Sequence, residues 1–387
     1  MEGYNKKVIM SYWTICRMKT TKKIYVKVSI IFLLGGILLF SSCEKEENQK
    51  IEANRKTLFM YLPWSSNLTN YFYNNISDLE KCITKIGLNN EKVIVFISTG
   101  STEAMMFEIV SSHGRCKREI LKKYKSPPFT TIDGITAILN DVKAFAPASV
   151  YTMIIGCHGM GWLPVYEMKV RSAPHMKMHW EYQGVPLTRY FGGLTAEYQT
   201  DIKSLASGIA NAGMKMEYIL FDDCYMSSIE VAYELKDVTK YLIGSTSEMM
   251  AYGMPYAAIG EYLLGNPDYQ SGCEEFYNFY STYEIMPCGT LAVTDCSELE
   301  NMAAIIKSIN SQYSFDKSLR GTIQRLDGYT PVIFYDFADY ITSLCNDPIL
   351  LNQFREQLNH LVPYKTHTKN FYTMAKGIIP INTFSGI

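Results

Sequence analysis

The sequence predicts an α/β protein with a mostly parallel central β-sheet flanked by helices on both faces. Three observations carry that prediction. Short apolar runs recur along the chain, each ended by turn-forming residues. Within a run the apolar residues are consecutive rather than alternating, the mark of a strand buried on both faces. Between the runs stand segments with apolar residues at helical spacing, so strands and helices alternate as βαβ units require.

In chain order, the first strand is expected at 57–62 (TLFMYL), where Pro63 ends it. The second is 92–98 (KVIVFIS), followed by Thr99 and Gly100. The third, fourth and fifth are 149–157 (SVYTMIIGC), 217–221 (EYILF) and 241–244 (YLIG). A helix over 133–145 places Ile135, Ile138, Leu139 and Val142 on one face. A second over 201–212 does the same with Ile202, Leu205, Ala206 and Ile209, and Asp201 suits its N-terminus. A third, 227–235, follows the fourth strand almost at once. Beyond these, 289–294 reads as a strand, 297–309 as a helix, 331–335 as a strand, and a helix begins at Phe337. The last residues, GIIPINTFSGI, are apolar and strand-like, which is expected of a chain cut short.

Composition narrows the function classes. The chain has 387 residues, 47% hydrophobic and 19% charged, enough apolar content for a sizeable core and too much for a disordered or fibrous protein. Its 37 basic and 38 acidic residues nearly cancel and form no long block, which argues against nucleic acid as a partner. Ten cysteines in this length are too few for a disulfide scaffold.

The N-terminal segment is an address. Lys19, Lys22, Lys23 and Lys27 precede an apolar run at 28–40, which falls short of the ~20 residues that span a bilayer. A basic segment, a short apolar run and the small residues Ser41 and Ser42 describe a secretory signal, with Met18 as the expected initiator. Cys43 follows directly and resembles the lipidated cysteine of a bacterial lipobox. Glu44-Lys45-Glu46-Glu47 resembles a surface-export signal of diderm bacteria. The expectation is an exported, outer-membrane, surface-exposed lipoprotein, its membrane contact made through the N-terminal lipid. Residues 1–42 form the signal peptide, 43–56 a flexible tether, 57–265 the catalytic core and 266–387 an α/β extension of the same domain. Eight cysteines follow Cys43, with no CxxC pair and no zinc spacing.

Two strand ends carry the chemistry. The third strand runs into Cys157-His158-Gly159-Met160-Gly161-Trp162, the fourth into Asp222-Asp223-Cys224-Tyr225-Met226. In a parallel sheet the carboxyl ends of neighbouring strands share one rim, so a His and a Cys there face one cleft. The imidazole can then activate the thiol or the leaving group, and the thiolate attacks a carbonyl. With no Cβ, Gly159 lets its N–H approach a bound carbonyl oxygen, and with the N–H of Cys224 it would form an oxyanion hole.

The stretch 221–234 (FDDCYMSSIEVAYE) resembles the nucleophile signature of the clostripain family of cysteine peptidases, D-x-C-x-M followed by E-x-A-Y-E. His158-Gly159-Met160-Gly161-Trp162 resembles that family's H-G-x-G-W, and the two motifs occur in the family's order. Weaker similarity covers 56–262 and returns at 291–294 and 335–338. The family groups with caspases, legumains and gingipains, so the resemblance implies a caspase-like sandwich. It implies His158 as the catalytic histidine, Cys224 as the nucleophile, and Asp222 as part of a pocket for a basic side chain. A carboxylate there pairs with arginine through two parallel hydrogen bonds, so the expected partner is a peptide with arginine or lysine before the scissile bond. Glu230 and Tyr233 match the motif and are expected to pack.

The sequence also departs from the family. Asp223 stands where a small residue is usual, and a carboxylate facing the thiol would raise its pKa unless it points away. Cys157 before His158 is unusual and is expected to be a buried strand-end thiol. In the segment after the fifth strand, Glu248 is the candidate for a second pocket acid. Family members are often activated by a cut between the two motifs, and Lys169 and Arg171 are the candidate sites of self-cleavage. His175 and His179 lack a third ligand, so no metal site is expected there. No cofactor is required; the resemblance implies a calcium response in some members, and without an EF-hand loop such a site would be assembled from scattered oxygens. Two alternatives use the same scaffold: a catalytically silent surface binding protein, and a peptide ligase or transpeptidase sharing the His–Cys pair.

Overall fold

The apolar runs become the middle of one large sheet. The computed structural model describes residues 54–65, 67–163 and 198–387. In chain order the strands are β1 (Asn54–Leu62), β2 (Glu91–Ser98), β3 (Glu103–Ser112), β4 (Arg115–Lys125), β5 (Ala148–Ile155), β6 (Met216–Phe221), β7 (Thr239–Gly244), β8 (Thr290–Asp295) and β9 (Tyr364–His367). They form a sheet of order β4-β3-β2-β1-β5-β6-β7-β8-β9. β2, β1, β5, β6 and β7 are mutually parallel, and an antiparallel pair closes each side. A small separate hairpin pairs β10 (Asn370–Thr373) with β11 (Gly377–Pro380).

Consecutive apolar residues are explained by two cores, one on each face. Along β1, Phe59 and Tyr61 join one core while Leu58, Met60 and Leu62 join the other. The helices α1 (Thr69–Ile86), α5 (Tyr256–Leu263) and α6 (Tyr269–Ser281) cover the Leu58 side through Phe72, Ile76, Ile259 and Phe276. The Phe59 side is covered by α2 (Ile132–Phe145), α3 (Ile202–Asn211), α4 (Ile229–Leu235), α7 (Leu299–Asn310), α8 (Phe337–Leu344) and α9 (Pro348–Leu361). Each fully buried Leu, Ile or Phe contributes about 1.5–3 kcal/mol by leaving water. Among the described residues no helix is long and apolar enough to cross a membrane.

Several boundaries differ from the sequence expectation. The tether expected to reach residue 56 stops earlier, because Asn54, Arg55 and Lys56 already belong to β1. Lys56 is buried, and its ammonium donates to the carbonyls of Leu263 and Gly265 at the end of α5, at 2.5 and 3.0 Å. The strand expected at 331–335 does not form. There the N–H groups of Ile333 and Phe334 donate to the buried Asp327 carboxylate at 2.7 and 2.6 Å, leaving only an isolated bridge from Arg325 to Tyr335. The β3–β4 hairpin was not expected, since β4 (RCKREILKKYK) is an edge strand whose charges face water. Helix α1 carried a readable signal, Phe72, Ile76, Leu79 and Ile83 at helical spacing, all buried.

Candidate active site

β5 and β6 lie side by side, with Ile155 opposite Phe221 at their carboxyl ends. The pairing runs one step into the loops, where the N–H of Asp222 donates to the carbonyl of Ile155 at 2.8 Å. His158 leaves the β5 end and Cys224 the β6 end, so the two motifs meet on one rim, as the topology requires. Their contact is close at the backbone. A Cβ placed on Gly159 would lie 2.1 Å from the carbonyl oxygen and 2.9 Å from the nitrogen of Cys224. Only a residue without a side chain allows this approach. His158 is 2% exposed and Cys224 fully buried.

The loop that carries Cys224 has its own constraints. The N–H groups of Tyr225 and Ser227 donate to the carbonyls of Ser247 and Ser245, continuing the sheet past β7. The N–H of Met249 donates to the Cys224 sulfur at 3.1 Å. Tyr225 has a left-handed backbone, φ 60°, a conformation that costs an ordinary residue roughly 1–3 kcal/mol. Its ring stacks on Phe334 with centroids 4.4 Å apart and planes 5° from parallel. Burial, with Glu248 beside it, pushes the Tyr225 phenol well above its usual pKa, so it stays a hydrogen-bond donor to that carboxylate at 2.8 Å. Gly161 closes the same corner; a Cβ there would sit 2.7 Å from the Phe334 ring.

The acids separate by environment. Asp222 is buried; one carboxylate oxygen accepts the Met254 N–H at 2.8 Å and the other the Tyr256 hydroxyl at 3.0 Å. It is therefore bound to the segment after β7 that the sequence nominated for the pocket. Asp223 turns to the β5 loop, where it accepts the N–H of Cys157 at 2.5 Å and faces the Cys157 thiol at 3.5 Å. Both members of this unusual pair are buried and hold the two motif loops together. Glu248 is also buried, its oxygens accepting from Tyr225 and from the N–H of Met374 at 2.9 Å. That ties the loop carrying Cys224 to the β10–β11 hairpin. Glu230 and Tyr233 stand at the surface of α4, and the Tyr233 hydroxyl donates to Glu300 at 3.1 Å, so the packing expected of them is not core packing.

Two contributions were missed in the sequence. Asn67, just before α1, reaches His158: its amide oxygen lies 2.8 Å from Nε2. From α1 itself, Asn75 donates to the carbonyl of Tyr252 at 2.8 Å, and Asp78 accepts the Tyr252 hydroxyl at 2.6 Å. These bonds anchor the loop that touches both Cys224 and Asp222. A polar residue beside a helix start or on its buried face is the only sequence signal for either. Cys43, Lys169, Arg171, His175 and His179 lie outside the described residues. Among the described residues the eight cysteines from Cys82 onward form no disulfide. Among the described residues no group of three or more His, Cys, Asp or Glu side chains could hold a metal ion.

Comparison with known proteins bears on this geometry. The model of the clostripain family matches residues 60–377. This chain belongs to the clostripain family. As a clostripain-family member it is a cysteine peptidase. It is 59% identical to a secreted C11 cysteine protease from Bacteroides thetaiotaomicron, "iotapain", over 86% of this chain and 92% of that one, with a TM-score of 0.80. It is 67% identical to a clostripain from the same species solved with the peptide inhibitor BTN-VLTK-AOMK, over 51% of this chain and 88% of that one, with a TM-score of 0.50. An inactive zymogen C11 protease from Parabacteroides distasonis is 25% identical over 86% of this chain and 90% of that one, with a TM-score of 0.71. No curated protein matches the chain. The clostripain-family fold is the expected caspase-like sandwich, with a mostly parallel sheet between helical layers.

Proposed function

We propose that this clostripain-family peptidase is an exported, lipid-anchored endopeptidase that cleaves after arginine or lysine, using His158 and Cys224. The observation that carries the proposal is the approach of Gly159 to the Cys224 backbone, which sets the two motif loops against each other. His158 takes the thiol proton of Cys224, and the thiolate attacks the carbonyl carbon of the scissile bond. The N–H groups of Gly159 and Cys224 hold the resulting oxyanion. The imidazolium then protonates the leaving amine, a thioester remains on Cys224, and water activated by His158 hydrolyses it.

Asp222 supplies the negative charge for the basic side chain, as a buried carboxylate next to the nucleophile. Support for a basic residue comes from the solved clostripain, whose inhibitor peptide VLTK ends in lysine. Both acids already accept hydrogen bonds, Glu248 from Tyr225 and Met374 and Asp222 from Met254 and Tyr256, and Asp222 is the better candidate because it lies two residues before Cys224. Export is supported by the secretory pattern before Cys43 and by the secreted relative, and the lipid anchor by Cys43 itself. Activation by self-cleavage at Lys169 or Arg171 is supported by the basic preference and by the zymogen form of a relative.

The test is turnover of fluorogenic peptides ending in Arg, Lys, Asp or Leu by the purified protein and by Cys224→Ala, with the protein band followed over the same incubation. Arg or Lys turnover, absent in Cys224→Ala, together with a cut at 169 or 171 in the active protein alone, is the expected outcome. Turnover after Leu or Asp would overturn the pocket assignment. Absence of any turnover from folded protein, before and after nicking with trypsin, would favour the silent binding protein.

A further inference from the structure

We propose that Asn67 is the positioning residue of His158. Its amide oxygen accepts the Nε2 proton, which makes Nδ1 the nitrogen that exchanges a proton with the Cys224 thiol. The inference rests on His158 being the base of the reaction. Three observations support it. The Asn67 oxygen lies 2.8 Å from His158 Nε2, a full-strength hydrogen bond. Asn67 stands immediately before Leu68, the N-cap of α1, one residue short of the position from which an Asn side chain caps a helix. Here the helix start receives no side-chain cap, and the Thr69 hydroxyl is buried without a partner. The amide oxygen of Asn67 is thus turned to the imidazole and not to the start of the helix.

The third observation is how the corner is built. β1 lies beside β5, and the N–H of Gly156 donates to the carbonyl of Tyr61 at 3.1 Å, so the chain before Asn67 is fixed to the chain before His158. Beyond β1, the N–H of Asn67 donates to the carbonyl of Ser65 at 2.7 Å, and the buried Ser65 hydroxyl donates to the carbonyl of Pro63 at 3.0 Å. Two neighbouring strands therefore deliver the acceptor and the ring as one rigid pair. A neutral amide suits the task. It selects one tautomer and supports the imidazolium that forms when the thiol loses its proton, and it adds no charge that would lock the ring protonated.

The test compares Asn67→Ala, Asn67→Asp and His158→Ala with the unaltered protein on a basic fluorogenic peptide. It records kcat, KM and the pH dependence of turnover and of Cys224 alkylation by iodoacetamide. Asn67 is exposed, so its substitution should leave the unfolding temperature unchanged. Losing the acceptor from the charged ring lowers the imidazole pKa. Asn67→Ala should therefore reduce kcat by about 10- to 100-fold with KM within about twofold, and move the acid limb, where the base is protonated, to lower pH. Asn67→Asp keeps the oxygen and adds charge, so it should retain kcat within about tenfold and move the same limb to higher pH. The proposal is overturned if Asn67→Ala keeps kcat within about twofold, or if both variants move the limb in one direction. Full turnover by His158→Ala would instead overturn the assignment of the base, a different result that removes both.

Discussion

The loops after β5 and β6 carry His158, Gly159, Asp222 and Cys224, whereas the C-terminal segment from Ile323 onward carries none of them and still fixes their backbone. Phe334 stacks on Tyr225, and Met374 donates to Glu248. The Ser227 hydroxyl donates to the carbonyl of Gly386 at 2.8 Å. In the rim the signal is residue type at a strand end, because chemistry needs a particular atom. In the brace it is shape and one hydrogen bond at a time, which many residues could supply. A strained loop such as the one carrying Cys224 can be short because remote segments hold it from behind.

The comparison breaks most visibly at Gly159. Gly159→Ala places a methyl 2.1 Å from the Cys224 carbonyl oxygen, so the two loops must separate. Turnover should fall by about 100-fold or more, since displacements of about 1 Å at a reacting centre cost that much. Stability should fall by only about 1–3 kcal/mol, the usual cost of overpacking. Near-normal turnover in this variant would show that the loops need not touch. In the brace the order reverses. Glu248→Ala leaves the Tyr225 hydroxyl and the Met374 N–H buried without their acceptor, so stability should drop by about 2 kcal/mol or more. Turnover by the remaining folded protein should fall less than in the Gly159 variant, and equally for Arg and Lys peptides. Unchanged stability with turnover of basic peptides alone lost would return Glu248 to the pocket.

The smallest effect on turnover, with an effect on stability alone, lies at the opposite end of the sheet. Burial of Lys56 lowers its pKa to about 8 from 10.5, with Glu91 opposing the shift. Below pH 8 both folded and unfolded chains carry this charge, and the fold bears its desolvation. Between 8 and 10.5 the folded state releases the proton first, so the unfolded state binds more protons and stability rises with pH. Each pKa unit corresponds to about 1.4 kcal/mol. The unfolding free energy of the unaltered protein relative to Lys56→Met should therefore rise across that window, on top of the fall that buried thiols with raised pKa, such as Cys82 and Cys288, impose on both proteins above pH 9. Equal slopes would mean that the carbonyls of Leu263 and Gly265 keep the ammonium charged.

Much of the central sheet was legible because its strands are apolar at every position, a pattern that little besides a two-faced burial explains. The edges were not. β4 alternates charge with partly buried residues, and 331–335 has strand-like composition while its N–H groups serve Asp327. His158, Gly159, Asp222 and Cys224 were legible from motif and strand end together. Asn67 was not, because a single polar residue before a helix is indistinguishable in sequence from a cap.

The sequence by itself determined the alternation of strand and helix, the two motifs, and the placing of both on one rim. Those follow from local pattern and from the direction of a parallel sheet. Only the tertiary structure decided where each polar side chain points. Asp222 and Asp223 are adjacent in the chain, yet one is held by Met254 and Tyr256 and the other by Cys157. Their neighbours come from β7's far loop and from β5, and hydrogen bonding between such distant segments is set by strand order, which no local pattern encodes.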